Sequence, residues 1–106
     1  MKFGIVLYTA DAETAWNGLR LGRLALEKGD SVRVFLLAAG VECESLDTER
    51  FRVAEMMQGF VDEGGQILAC GTCLKTRQSG GSQLCPVSTM QDLYDLIAES
   101  DKVVTL

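Results

Sequence analysis

The side chains best able to do covalent chemistry in this chain are its cysteines, and two of them stand together in Cys70-Gly71-Thr72-Cys73, with Lys75 and Arg77 just beyond. A thiolate is the nucleophile of sulfur transfer and of disulfide exchange, and it is also a metal ligand. The C-x-x-C spacing alone therefore serves sulfur handling, redox dithiols and zinc sites alike. If Gly71 and Thr72 lead into a helix, Cys70 or Cys73 sits near its N-terminus, where free amides and the dipole favour the thiolate and lower the thiol pKa. Lys75 and Arg77 add positive charge and, with Gly71 and Thr72, make up the candidate anion-stabilising group. The expectation is an accessible thiolate able to hold and pass on sulfur or to exchange disulfides. The plain alternative is a pair of inert, buried thiols, since cysteine is among the most buried residue types.

Other chemistries find less support. Cys43 and Cys85 stand alone, so a four-cysteine zinc site would have only one C-x-x-C knuckle and no histidine to complete it. A thioredoxin-like dithiol follows an early strand and faces a later proline, whereas this pair follows the third apolar segment and the sole proline, Pro86, directly follows Cys85. With no histidine in the chain, the usual Ser-His or Cys-His activation is unavailable, and Glu42 and Glu44 around Cys43 read as a solvated loop. Neither G-x-G-x-x-G nor G-x-x-x-x-G-K-[ST] occurs, so no cofactor is implied, and no metal is assigned.

Composition limits the partners. Fifteen acidic against ten basic residues give a formal net charge of −5, which offers no broad surface for phosphates and argues against nucleic acid and anionic membranes. No run approaches the roughly 20 apolar residues of a membrane span. The opening MKFGIVLYTADAET meets Asp11 too soon to be a signal peptide. A cytoplasmic protein with reduced thiols is expected. The 106 residues, 47% of them apolar, suit a single domain over 1–106 with a real core.

The elements that must position the cysteines follow from periodicity. Phe3 to Tyr8 reads as a strand buried on both faces and as the central one. Asp11 caps a helix to about Lys28, closed by Gly29, with Gly18, Gly22 and Ala25 as a small-residue stripe for close approach to a sheet or a neighbouring subunit. Ser31 to Leu37 is a second, less central strand. A loop over Ala38 to Asp47 precedes a helix around Glu49 to Asp62, and Gly64-Gly65 stops it. Gln66 to Ala69 is a third strand with Cys70 at its carboxyl end. Cys73 to Gln78 makes a short helix, Ser79 to Ser82 a turn, and Leu84 to Val87 a brief strand. Ser88 with Gln91 forms a capping box for a helix carrying Met90, Leu93, Tyr94 and Ile97, and Lys102 to Leu106 closes as a strand. This alternation predicts a doubly wound α/β fold: a mostly parallel five-stranded sheet with helices on both faces, flavodoxin-like or related. In such sheets sites form at the carboxyl ends of strands, which ranks Cys70 first among the cysteines.

The opening MKFGIVLYTADAETAWNGLRLGRLALEKGDSVRVFLLAAGVE, the segment GGQILACGTCLKTRQSG and the close STMQDLYDLIAESDKVVTL together resemble the DsrE/DsrF-like sulfur-relay family, which includes the TusD-type sulfurtransferase subunit. The resemblance spans essentially the whole chain. It implies a five-stranded parallel sheet, assembly into homo-oligomers (trimers or hexamers), and one cysteine that accepts sulfur as a persulfide from a donor protein and yields it to an acceptor. Cys70 matches that position. Cys73, Cys43 and Cys85 go beyond a one-cysteine carrier and stand as candidate relay or resolving thiols.

Overall fold

A computed structural model describes residues 1–106. The strands are β1 (Lys2–Leu7), β2 (Ser31–Leu36), β3 (Gln66–Cys70), β4 (Val87–Ser88) and β5 (Lys102–Thr105); the α-helices are α1 (Ala12–Glu27), α2 (Val53–Asp62), α3 (Gly71–Thr76) and α4 (Met90–Glu99). All strand pairs are parallel, in the order β4-β3-β2-β1-β5. No helix is long and apolar enough to cross a membrane.

This order follows from crossover handedness. The steps β1 to β2 to β3 to β4 all run in one direction, so right-handed crossovers place α1, α2 and α3 on one face. The return from β4 to β5 reverses direction and puts α4 on the other. Two core clusters record the division. On the first face Ile5, Leu7, Val34, Leu36, Ile67 and Ala69 pack against Ala15, Leu19, Met57, Phe60 and Leu74. On the second, Val6, Phe35 and Cys70 pack against Leu93 and Leu96.

The doubly wound class is as expected, but the central strand is not. β2, expected to be less central, lies in the middle, and β1 lies between it and β5. The last crossover decides this by carrying β5 back to the outer side of β1, and the apolar runs of β1 and β2 are too alike to reveal it.

Asp11 caps α1 by accepting the Thr14 N–H at 2.9 Å, as anticipated. The small-residue stripe serves contacts within the chain: a Cβ on Gly22 would lie 2.8 Å from the Phe60 ring, and one on Gly18 2.8 Å from Leu7. Each glycine costs the helix about 1 kcal/mol relative to alanine, and in return α1 settles against both α2 and the sheet.

Five local features differ from expectation. The segment expected as a loop forms a 3-10 helix over Ala38–Ser45. α2 begins at Val53 rather than Glu49, because Phe51 turns back to pack on Trp16 with its ring tilted (centroids 5.7 Å apart, planes at 59°) and Asp47 accepts the Ala54 N–H at 2.9 Å. α3 starts at Gly71, not Cys73, and β4 shrinks to Val87 and Ser88. The capping box of α4 is Thr89 with Asp92 instead of Ser88 with Gln91, since Ser88 is taken up by strand pairing with Cys70.

Candidate functional site

β3 feeds α3 on one face of the sheet while its neighbour β4 feeds α4 on the other, so the chain leaves these adjacent strands in opposite directions. That divergence is the switch point at which open α/β sheets form their sites. Cys70 is its last strand residue. The side chain of Cys70 lies on the α4 face, only 3% exposed, among Val6, Phe35, Leu93 and Leu96.

Cys73, one turn along α3, is half-buried and packs against the same cluster, which brings the two thiols together. A third segment completes the arrangement: Ala38, directly beyond β2, donates its backbone N–H to Cys73 Sγ at 3.2 Å. Arg77 donates through Nη1 to the Cys73 carbonyl at 3.1 Å and through Nε to Glu42 Oε2 at 2.9 Å. Glu42 belongs to the same 3-10 helix as Ala38, so that helix is tied to α3 at two points.

The electrostatics correct the expected low thiol pKa. Cys73 is raised, first by the neighbouring Cys70 thiol and then by burial, while the Ala38 N–H and the Arg77 charge pull it back only in part. A helix of six residues sums few peptide dipoles, and Arg77 is already paired with a carboxylate. The expectation of an accessible Cys70 is likewise corrected, for the more exposed thiol is Cys73.

The remaining candidates do not gather into an anion cradle. Lys75 is exposed and is not among the groups acting on Cys73, as its position two residues along the helix dictates. Thr72 is exposed, and its carbonyl accepts the Thr76 hydroxyl at 3.0 Å. Gly71 serves packing, since a Cβ there would lie 3.1 Å from the Ser88 carbonyl oxygen.

Cys43 and Cys85 belong to the core of the opposite face. Burial pushes both thiols up to about 12, with the Glu44 carboxylate adding to the effect. Cys85 donates to Glu44 Oε1 at 3.4 Å and lines a polar cavity of about 350 Å³ with Glu44, Ser82 and Arg77. All four cysteines are free thiols, and no group of three or more His, Cys, Asp or Glu side chains is placed to share a metal ion. A four-cysteine zinc set is thus not assembled. Sequence reasoning missed Ala38 and the part played by Glu42; only their position just past a strand end could have drawn attention to them.

The DsrE/DsrF-like family profile matches residues 1–106. The chain belongs to the DsrE/DsrF-like family. An uncharacterized protein of Methanocaldococcus jannaschii is 33% identical over 113 aligned positions, covering 99% of each chain. Another, from Methanopyrus kandleri, is 30% identical and covers 87% of this chain and 81% of its own. Among solved structures, the YchN protein of E. coli superposes over the whole of both chains with a TM-score of 0.83 at 20% identity, which establishes a shared DsrE-like fold. In this member of the family, the β3-to-α3 junction carries two thiols in contact.

Proposed function

We propose that this protein is a cytoplasmic sulfur carrier that holds sulfane sulfur as a persulfide on Cys70 and releases it with the help of Cys73. The observation that carries the reading is the contact between these two thiols at the switch point of the sheet. In loading, the Cys70 thiolate attacks the outer sulfur of a donor protein's persulfide. The donor S–S bond breaks, the donor leaves as a thiolate, and Cys70 becomes the persulfide with no net oxidation. Discharge follows either of two paths. An acceptor protein's thiolate takes the outer sulfur, or the Cys73 thiolate attacks the inner sulfur, forming the Cys70–Cys73 disulfide and expelling hydrosulfide. The second path requires a thiol reductant to restore the dithiol.

The surroundings favour a protein partner over a small anionic sulfur donor. Leu37, Val41 and Leu68 pack around the pair, and the one cation beside it, Arg77, is matched by Glu42. Met90, Tyr94 and Ile97 form an exposed apolar row on α4 at helical spacing, suited to assembly as a homo-oligomer, trimer or hexamer.

The test is intact-mass spectrometry of the reduced protein after exposure to a sulfane-sulfur donor, with peptide mapping of the adduct. Wild type gains one reductant-labile sulfur on Cys70, Cys70→Ser gains none, and Cys73→Ser loads but discharges slowly. Equal loading of wild type and Cys70→Ser would remove the basis of the proposal.

A further inference from the structure

The Ala38 amide is held in place by its neighbours. Ala38 has φ +51°, one of only two non-glycine residues in the left-handed region. That conformation costs an alanine on the order of 1 kcal/mol and persists only where the surroundings enforce it. Here they do so on both sides. Leu37 donates to the Leu7 carbonyl at 2.9 Å, and Gly40 donates to the Leu37 carbonyl at 2.9 Å. Gly40 is pressed so closely on β1 that a Cβ would lie 2.0 Å from the Leu7 carbonyl oxygen. Between these two fixed points the chain reverses, and the Ala38 N–H is turned out of the sheet toward Cys73 Sγ.

We propose that the backbone N–H of Ala38, fixed by the left-handed turn between Leu37 and Gly40, is a positioning group that stabilises the Cys73 sulfur as it ionises and aims it at Cys70. This rests on the sulfur-carrier reading, in which Cys73 attacks the Cys70 persulfide, and adds what prepares Cys73 for that step. A donor N–H strengthens as sulfur gains negative charge, so it favours the thiolate over the thiol. Arg77 acts on Cys73 through its charge alone, with Nε directed to Glu42 and Nη1 to the Cys73 carbonyl oxygen, so the Ala38 N–H is the group bonded to the sulfur itself. Attack by Cys73 on the inner sulfur of the persulfide forms one S–S bond and breaks another. The electron pair leaves with hydrosulfide, and the Ala38 N–H gives up no proton at any stage.

The test replaces the Ala38 amide by an ester. The full 106-residue chain is assembled by ligation at Cys43 with lactic acid in place of alanine, which deletes the N–H and keeps the methyl group. The first readout is the titration midpoint of Cys73, from the pH dependence of its alkylation followed by peptide mass spectrometry with no sulfur donor present. A hydrogen bond to a charged group, discounted for partial exposure, predicts an upward shift of about one unit and about ten-fold less thiolate below the midpoint. The higher nucleophilicity of the more basic thiolate offsets part of this, so discharge of loaded Cys70 slows by about three-fold. Loading of Cys70 itself stays as in wild type. An unchanged midpoint in a folded ester variant overturns the proposal.

If the ester chain does not fold, a genetic pair decides. Ala38→Gly keeps the N–H and adopts the left-handed turn freely, whereas Ala38→Val keeps the N–H but resists the turn. Glycine titrating like wild type with valine shifted upward supports the proposal, and equal midpoints for glycine and valine overturn it. Failure of wild type to load sulfur would overturn the carrier reading while leaving the Cys73 titration to decide the role of Ala38.

Discussion

Pulsed alkylation of the native protein at about pH 8 ranks the four thiols by what surrounds them, since only the thiolate reacts. The rise of Cys43 from 9.0 to about 12 leaves about a thousand-fold less thiolate than an ordinary cysteine has, and Cys43 is fully buried as well. Cys85 is raised to the same value and is 6% exposed. Reaction through global unfolding does not rescue either thiol, because a domain stable by even 5 kcal/mol exposes its core only about once in several thousand molecules. Cys73 is half-buried, and its thiol is raised by Cys70 and by burial but pulled back in part by the Ala38 N–H and Arg77, so it keeps its advantage over the two buried thiols at less than a thousand-fold. The expected order is Cys73 first, Cys70 next, and Cys85 and Cys43 far behind, read as the modification of each tryptic peptide against time. Labelling of Cys43 or Cys85 within ten-fold of Cys73 would refute the assignment of these two thiols to an inert core.

The same shift makes the fold sensitive to alkali. A thiol at 9.0 unfolded and about 12 folded leaves stability untouched below pH 9.0 and erodes it progressively toward 12, because only the unfolded chain releases the proton there. At pH 10, Cys43 alone costs roughly 1.4 kcal/mol, and Cys85, whose cavity admits solvent, adds a smaller amount; denaturant melts of wild type and Cys43→Ala should converge in slope above pH 9 if this is wrong. Gly40→Ala drives a Cβ onto the Leu7 carbonyl and should destabilise by about 2–3 kcal/mol, read as a lower thermal midpoint, with no change counting against the described turn. Tyr94→Asp places a charge in the exposed α4 row and should shift the sedimentation profile from oligomer to monomer; an unaltered profile would move the assembly surface elsewhere.

The class of the fold was legible because strands and helices alternate with clean periods, and the place of Cys70 was legible because Gly64-Gly65 and the apolar QILA run mark where β3 begins and ends. Strand order was not legible, for it depends on the crossover through α4, whose length and pattern are the same whichever way the chain turns. Ser88 and Thr89 each begin a capping-box pattern, and only the pairing of Ser88 with Cys70 selects Thr89. The anion-stabilising group was legible only in part: Arg77 does favour the Cys73 thiolate through its charge, although it is paired with Glu42, whereas helical geometry sends Lys75 away. Ala38 gave no signal, since an alanine in a left-handed turn is imposed by its neighbours rather than by its own preference.

The burial of Cys70 sets a condition on the proposed chemistry. At 3% exposure its sulfur meets a partner's persulfide only when α3 moves aside. α3 is anchored by the buried Leu74 and by the Arg77–Glu42 pair. Cys73 occupies the intermediate position, exposed on one side and in contact with Cys70 on the other. On the proposed reading, attack by Cys73 on the inner sulfur therefore leaves these anchors intact, whereas loading of Cys70 by a partner requires α3 to move against them.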